Sequence, residues 1–500
     1  MKSVGYLYLV ESFKLRICDL LLKSFLGKAS QVKITQVDGI EERYYPQQRV
    51  VVDDTWQQNL IFAIKYEGVN FEVLKAFFMH MDADEIGRFV LSVPTGVYHR
   101  RIWFLFEFLT GVRLNIPDVT MGNYVYAIDG DMQLALPPEM ASRVRRCRVF
   151  DNVVGTSAFA PYVRWTSAIR SVCASALKAR SNELLRNYSA EVLYRAVQYL
   201  YVKETRSSFA IERETPDQKR MSSFVSLLKG IPDLPMTKEM LVEAQNRVVD
   251  SRYAQQDWRT SQVYVGETIT PTCEKVHFVA VKPQDVPGVM DGFLATLKKV
   301  LSAGDLDAVV LAATMSFAFV FIHPFDDGNG RLHRYLMHYI LSRMGFSPLG
   351  MIFPVSAVLL KNQVRYDRML ETFSRRLMDV LDYRIDNSGE VSVKGESADF
   401  YRYIDFTPIV ESYQRIIEET IETEWKSEMD YLVRYDHIRE CMRTVVDMPE
   451  KDANQFILFV NQNDGRLSIS KRQKFFGKLS DEEIDRLETI VVDGMRLKVQ

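Results

Sequence analysis

The chain is 500 residues long and carries 63 basic against 65 acidic residues, for a formal net charge of −2. That length allows two or three domains with ample core, and contents of 47% apolar and 12% aromatic residues are those of a globular protein. So small a net charge provides no global field to recruit nucleic acid or an anionic membrane, and neither partner is expected. Cysteines at 18, 147, 173, 273 and 441 form no Cys-x-x-Cys pair. This pattern favours neither a disulfide framework nor a zinc site and fits a reducing cytoplasm.

Three regions are expected: 1–180, 181–380 and 381–500. At the start of the first, Lys14, Arg16, Asp19 and Lys23 interrupt the apolar residues, so no secretory leader is expected. Alternation on both sides of Asp38-Gly39 predicts a small hairpin within 32–52. Apolar periodicity predicts helices over 69–78 and 97–109, the second behind Pro94-Thr95-Gly96 with Trp103, Leu105, Phe106 and Leu109 as its apolar residues. Arg143, Arg145, Arg146 and Arg148 make a short basic cluster that reads as a solvated face. The region is expected to be α+β, and it shows no nameable chemistry.

The second region opens with a helical pattern over about 189–213 that carries Ser208 and Glu212 near its end. On residues alone, Glu212 is one surface carboxylate among many. Two short alternating stretches follow, Val263-Tyr264-Val265-Gly266 and Lys275-Val276-His277-Phe278-Val279, on either side of a Thr/Pro-rich turn. They predict a β-hairpin within helical surroundings. A helix is predicted over 289–301. The uncharged run Ala308–Ile322 is too short to span a bilayer and reads as a buried core helix.

Directly after it comes His323-Pro324-Phe325-Asp326-Asp327-Gly328-Asn329-Gly330-Arg331-Leu332-His333-Arg334, a polar loop leading into a further amphipathic pattern. Gly328, Asn329 and Gly330 suit a turn whose successive N–H groups point inward as an anion nest. A helix starting near Arg331 would aim the positive end of its dipole at the same place. Arg331 and Arg334, three apart, can share one face of that helix. Guanidinium groups there call for a compensating anion, and phosphate oxygens suit their paired donors. Asp327 is a natural ligand for the Mg²⁺ that accompanies a polyphosphate. His323 is the nearby group able to take a proton near neutral pH. Together these residues read as phosphoryl or nucleotidyl transfer.

The same stretch resembles the Fic family signature, His-x-Phe-x-Asp/Glu-Gly-Asn-Gly-Arg-x-x-Arg, at every specified position. The resemblance covers about 190–375 and implies a mainly α protein: a Fic-type helical core with a small β-hairpin flap, flanked by the N-terminal α+β region and a C-terminal helical region. It further implies transfer of AMP from ATP to a Tyr, Thr or Ser hydroxyl of a target protein. In that family His323 would deprotonate the target, Phe325 would anchor the loop and Asp327 would hold Mg²⁺. Gly328, Asn329, Gly330 and Arg331 would cradle phosphates, and Arg334 would reach the γ-phosphate. Ser208 and Glu212 match the spacing of the family's inhibitory motif, Ser/Thr-x-x-x-Glu-Gly/Asn. By that likeness Glu212 would pair with Arg334 and fill the γ-phosphate site. Arg213 departs from the motif's Gly or Asn. The hairpin matches the flap position, where Lys275, Val276, His277, Phe278 and Val279 would dock the target, which can be the chain itself. Asn362 and Tyr366, on a later helix, are candidates for the nucleotide pocket. A homodimer is compatible with these features.

The third region opens after Asp386-Asn387-Ser388-Gly389, a turn signal. Thr407-Pro408 starts a helix as cap and first-turn proline, with Ile409, Tyr413, Ile416, Ile417 and Ile421 on its apolar face. Phe456 to Val460 marks another helix. Ser480-Asp481-Glu482-Glu483 is a capping box that opens a further one. The Asn463-Asp464-Gly465 turn and Lys471-Arg472-Gln473-Lys474 suggest a winged-helix-like module. Two other functions share these residues. The site can instead remove AMP, or transfer another nucleotide or phosphate-containing group. Alternatively, the chain can be a nucleotide-responsive regulatory protein, although such a sensor has no need of His323 and Asp327.

Overall fold

A computed structural model describes the chain except for residues 29, 232–234, 271–272, 387–388 and 500. The protein is mainly α, with four small sheets among the described residues. None of the described helices is long and apolar enough to cross a membrane.

Ala308–Ile322 is the central element. It is apolar on all sides, and every residue but Val320 is buried. Asp307 caps it by accepting from the N–H groups of Val309 and Val310. Against it pack Val286–Leu301, Asn329–Arg343 and Thr407–Glu419. A helix with no polar face is stable in water only when neighbours cover it on every side. The last of these neighbours lies in the region read from sequence as C-terminal, but its Ile409, Tyr413, Ile416 and Ile417 belong to the central core. Thr407 is already helical there; Phe406 occupies the cap position and Pro408 the first turn.

The N-terminal stretch forms a second core around Leu60, Phe77, Trp103 and Leu105. The expected hairpin pairs Lys33–Val37 with Ile40–Pro46, and Asp38 and Gly39 both take positive φ, as a two-residue hairpin turn requires. The expected helices are Phe71–Phe78 and Val97–Thr110. The basic cluster is not uniformly solvated. Arg146 pairs with Glu107 at 3.2 Å and Asp118 at 3.0 Å and lies over the Trp103 ring. This region is stitched to the central core through Tyr162, whose N–H donates to Ile404 O and whose carbonyl accepts from Phe406 N–H.

Beyond Lys426–Arg443, three further helices, Glu450–Gln462, Ile469–Phe475 and Asp481–Met495, close a small third core. Ser480 and Glu483 form the reciprocal capping box. Among the described residues no strand follows Val391–Val393, so this part of the chain has no wing. Asp464 and Gly465 turn the chain at positive φ, and Ser468 then caps the next helix at once, which leaves no length for a hairpin. Of the turn expected at 386–389, residues 387 and 388 lie outside the described residues.

Candidate active site

The site forms where three chain segments meet: the end of Ala308–Ile322, the start of Asn329–Arg343, and the end of Ala190–Ile211. His323 terminates the first in the left-handed region, φ 55°. That conformation costs an ordinary residue about 1–2 kcal/mol, so neighbours must hold it. Its Nδ1 lies 3.1 Å from Val320 O. A carbonyl only accepts, so Nδ1 carries the proton and Nε2 presents its lone pair. Burial lowers the His323 pKa to about 4; near neutrality the ring is the uncharged base that proton abstraction needs.

The loop after His323 is closed from within. Asn329 accepts from Phe325 N–H at 3.1 Å and donates to Phe325 O at 2.7 Å. Its side chain is thus committed to loop geometry, and only its backbone is left to meet an anion. Phe325 is fully buried, beside Trp258. Gly328 has φ 91°, and a β-carbon there would sit 2.9 Å from Val249 Cγ1, so both conformation and space call for glycine. Asn329–Arg343 starts directly after it, and its first intrahelical bond runs from Leu332 N–H to Gly328 O. The preceding N–H groups make up the helix's positive end.

Arg334 is fully buried (0% exposed) and central. Its Nε donates to Ser208 Oγ at 2.8 Å, and its Nη2 donates to Ser208 O at 2.8 Å and to Glu212 Oε1 at 2.7 Å. Nη1 is buried and has no hydrogen-bond partner. An orphaned guanidinium N–H of this kind suits an incoming anion oxygen. The Glu212 carboxylate lies directly over the Gly330 backbone, where any β-carbon would collide with Oε1. An anionic oxygen thus already lies against the first turn of Asn329–Arg343. Burial alone would raise the Glu212 pKa, but Arg334 more than offsets this and holds it below the usual carboxylate range. Tyr366 is buried against the same pair, and burial pushes its hydroxyl up to about 12. Asn362 caps Gln363–Val380 and is occupied by Arg365 N–H.

Arg331 is turned elsewhere. It bonds Asp327 Oδ1 at 2.9 Å, both carboxylate oxygens of Glu214 at 3.1 Å, and Val248 O at 2.8 Å. Asp327 Oδ1 also accepts from Gly328 N–H at 2.6 Å, which leaves Oδ2 as the oxygen for a cation. Among the described residues no three His, Cys, Asp or Glu side chains gather as a metal site. An ion on Asp327 would take its remaining ligands from substrate and water, as Mg²⁺ commonly does.

The hairpin pairs Tyr264–Thr270 with Cys273–Val279. Of the residues expected to dock a target, Lys275 is exposed and Val276 and His277 are half-buried, whereas Phe278 and Val279 are buried. Phe278 packs against Phe321 and Tyr401, so its side chain anchors the hairpin to the core.

Sequence reasoning missed four residues. Arg259 donates from Nε to His323 O, Gln245 donates to Asp327 O, Glu214 clamps Arg331, and Glu204 joins His338 at 2.8 Å. Glu204 and His338 lie one helical turn from Ser208 and Arg334, so a second buried polar contact ties the same two helices. That spacing was visible in the sequence; the other three are brought in by the fold.

Residues 235–341 match the Fic/DOC family. A protein adenylyltransferase Fic of Nematostella vectensis is 32% identical over 118 residues, which are 23% of this chain and 25% of that one. A protein adenylyltransferase fic-1 of Caenorhabditis elegans is 36% identical over 97 residues, 19% of this chain and 16% of that one. The match therefore spans a quarter or less of the length of these relatives. A solved Fic family protein from Desulfovibrio desulfuricans G20 aligns over 67% of this chain and 85% of its own, at 17% identity and a TM-score of 0.36.

Proposed function

We propose that this Fic family protein transfers AMP from ATP to a hydroxyl side chain of a protein, and that it is held inactive by its own Glu212. The observation that carries the reading is Glu212 itself: a carboxylate over the Gly330 backbone, bonded to the arginine that would otherwise take a phosphate oxygen. The relatives' names support adenylyl transfer as the chemistry of this domain.

In this reading His323 Nε2 takes the proton of the target Tyr, Thr or Ser hydroxyl. The hydroxyl oxygen bonds to the α-phosphorus, the bond from that phosphorus to the bridging oxygen breaks, and pyrophosphate leaves. Mg²⁺, held by Asp327 Oδ2 when bound, would neutralise phosphate charge. The chain's own contribution is position and charge: the nest and Arg334 stabilise phosphate oxygens, and the Asn329 bonds keep the loop rigid. The extended target segment would pair with a free edge of the hairpin. We place the reaction in the cytoplasm, where thiols such as Cys18, Cys147, Cys173 and Cys441 stay free.

The test incubates wild type, Glu212→Gly and Glu212→Gly/His323→Ala with Mg²⁺ and ATP labelled on the α-phosphate, alone and with host lysate. The expected result is strong labelling by Glu212→Gly, weak labelling by wild type and none by the double variant. No label in any lane would sink adenylyl transfer and turn attention to AMP removal or another nucleotide.

A further inference from the structure

We propose that Arg259 is a positioning residue for His323, tying the base turn to both roots of the hairpin so that base and docking strand keep one register. The inference rests on His323 being the base. Arg259 is 2% exposed, and its guanidinium addresses three backbone carbonyls from three places in the chain. Nε donates to His323 O at 2.6 Å, Nη1 to Ser261 O at 2.6 Å, and Nη2 to Val281 O. Its own N–H donates to Pro324 O at 2.9 Å.

Ser261 lies just before the first hairpin strand and Val281 just after the second, where Ala280 N–H still bonds Val263 O at 3.0 Å. The guanidinium therefore spans the hairpin's base and ends on the carbonyl of His323. Among the described residues its guanidinium donates to carbonyls and not to a carboxylate, and Asp326 acts on it only through space. Burial has correspondingly lowered its pKa to about 10. A buried cation satisfied only by carbonyls is expensive where packing alone is needed, because an apolar side chain of similar volume would serve. What it supplies is a rigid three-pronged link, which the planar fork of arginine can make and lysine cannot. A second tie runs in parallel: Asp326, in the same loop, accepts from Ser261 Oγ and from Gln255 Nε2 at 2.9 Å. The loop that carries the base is thus joined twice to the segment that enters the hairpin. Since a displacement of about 1 Å at a reacting centre can cost about a hundredfold in rate, this link sets how well a hydroxyl held on the hairpin meets Nε2.

The test uses the full chain with Glu212→Gly, and adds Arg259→Met or Arg259→Lys. Two readouts are followed: amide hydrogen exchange, and self-labelling from α-labelled ATP with Mg²⁺ beside the affinity for Mg²⁺ and α,β-methylene-ATP. For Arg259→Met, exchange should accelerate together in 263–266 and 319–325, by about tenfold or more, while Phe71–Phe78 and Asp481–Met495 are unchanged. Labelling at saturating ATP should fall by about 30- to 100-fold with nucleotide affinity held, and Arg259→Lys should lie between. Unchanged exchange, loosening of one segment without the other, or loosening spread to the remote helices would each overturn the proposal. If the Met variant does not fold, the Lys variant decides by the same exchange criterion. If Glu212→Gly labels nothing while Arg259→Met still loosens both segments together, the tie stands and adenylyl transfer falls.

Discussion

Two helices in this protein end the same way and are held differently. Ala308–Ile322 ends on His323 and Ala190–Ile211 ends on Glu212-Arg213, and each turn passes through a left-handed residue that is not glycine, His323 at φ 55° and Arg213 at φ 57°. Around His323 the holding groups are buried and, among the described residues, none of them forms an ion pair: the Arg259 guanidinium on the His323 carbonyl, the Asn329 side chain on Phe325, and Phe325 itself. Around Arg213 they are ion pairs whose arginines are buried but whose carboxylates reach water, with Glu212 34% and Glu214 33% exposed. The first arrangement fixes a geometry. The second can be given up, because a carboxylate that satisfies a guanidinium is replaceable by a phosphate.

The sharpest way to break that comparison is to remove the proposed base. In the Glu212→Gly background, His323→Ala should lower transfer by about 10²–10⁴-fold with nucleotide affinity preserved. The pH profile carries the same message. With a pKa of about 4, lowered by burial from the ordinary 6.5, the His323 ring stays deprotonated through mild acid. Proton uptake should therefore leave transfer flat from pH 7 to about 5 and cut it only near the lowered pKa. An acid limb centred near 6.5 would mean that His323 is solvated in the working state and not fixed.

The releasable end should respond in the opposite direction. Glu212→Gly removes a charge-assisted bond worth about 1.5–3 kcal/mol, so transfer should rise by about 10- to 100-fold. Glu214→Gln weakens the grip on Arg331 at a partly exposed pair, and the rise should be no more than about fivefold. A larger effect at Glu214 than at Glu212 would mean that Arg331, not Arg334, is the guarded arginine.

What the sequence showed and what it hid follow the same division. The signature could be read because its residues are chemically specific and contiguous; the hairpin could be read from its local alternation, and the uniformly apolar helix from its unbroken uncharged run. Arg259, Gln245 and Glu214 could not, because each acts on a backbone or side chain tens of residues away and nothing in its neighbourhood marks it. The wing suggested for the C-terminal helices failed because the Asp464-Gly465 turn, read as a hairpin signal, serves equally to join two helices. Arg331, expected among the phosphate ligands, is committed to Glu214, Asp327 and Val248 O.

Arg213 is the departure whose meaning the structure supplies. Glu214 N–H donates to Phe209 O at 3.1 Å and Arg213 N–H to Ala210 O at 3.0 Å, the two bonds of a Schellman cap, with Arg213 in the position that must be left-handed. The position where the resembled motif has Gly or Asn is therefore a cap position in this chain, next to the glutamate that points at Arg334. Arginine there meets the left-handed penalty that glycine avoids, partly offset by the greater freedom glycine loses on folding. Arg213→Gly should then stabilise the closed turn by a net of about 0.5 kcal/mol and lower basal transfer roughly twofold. Thermal melting and labelling together make the result decisive. If both move, the cap exists only in the blocked state and the brake opens by unwinding its last turn. If melting rises and labelling does not change, the cap survives release, and Glu212 leaves Arg334 by movement of the whole helix against its second contact at Glu204 and His338.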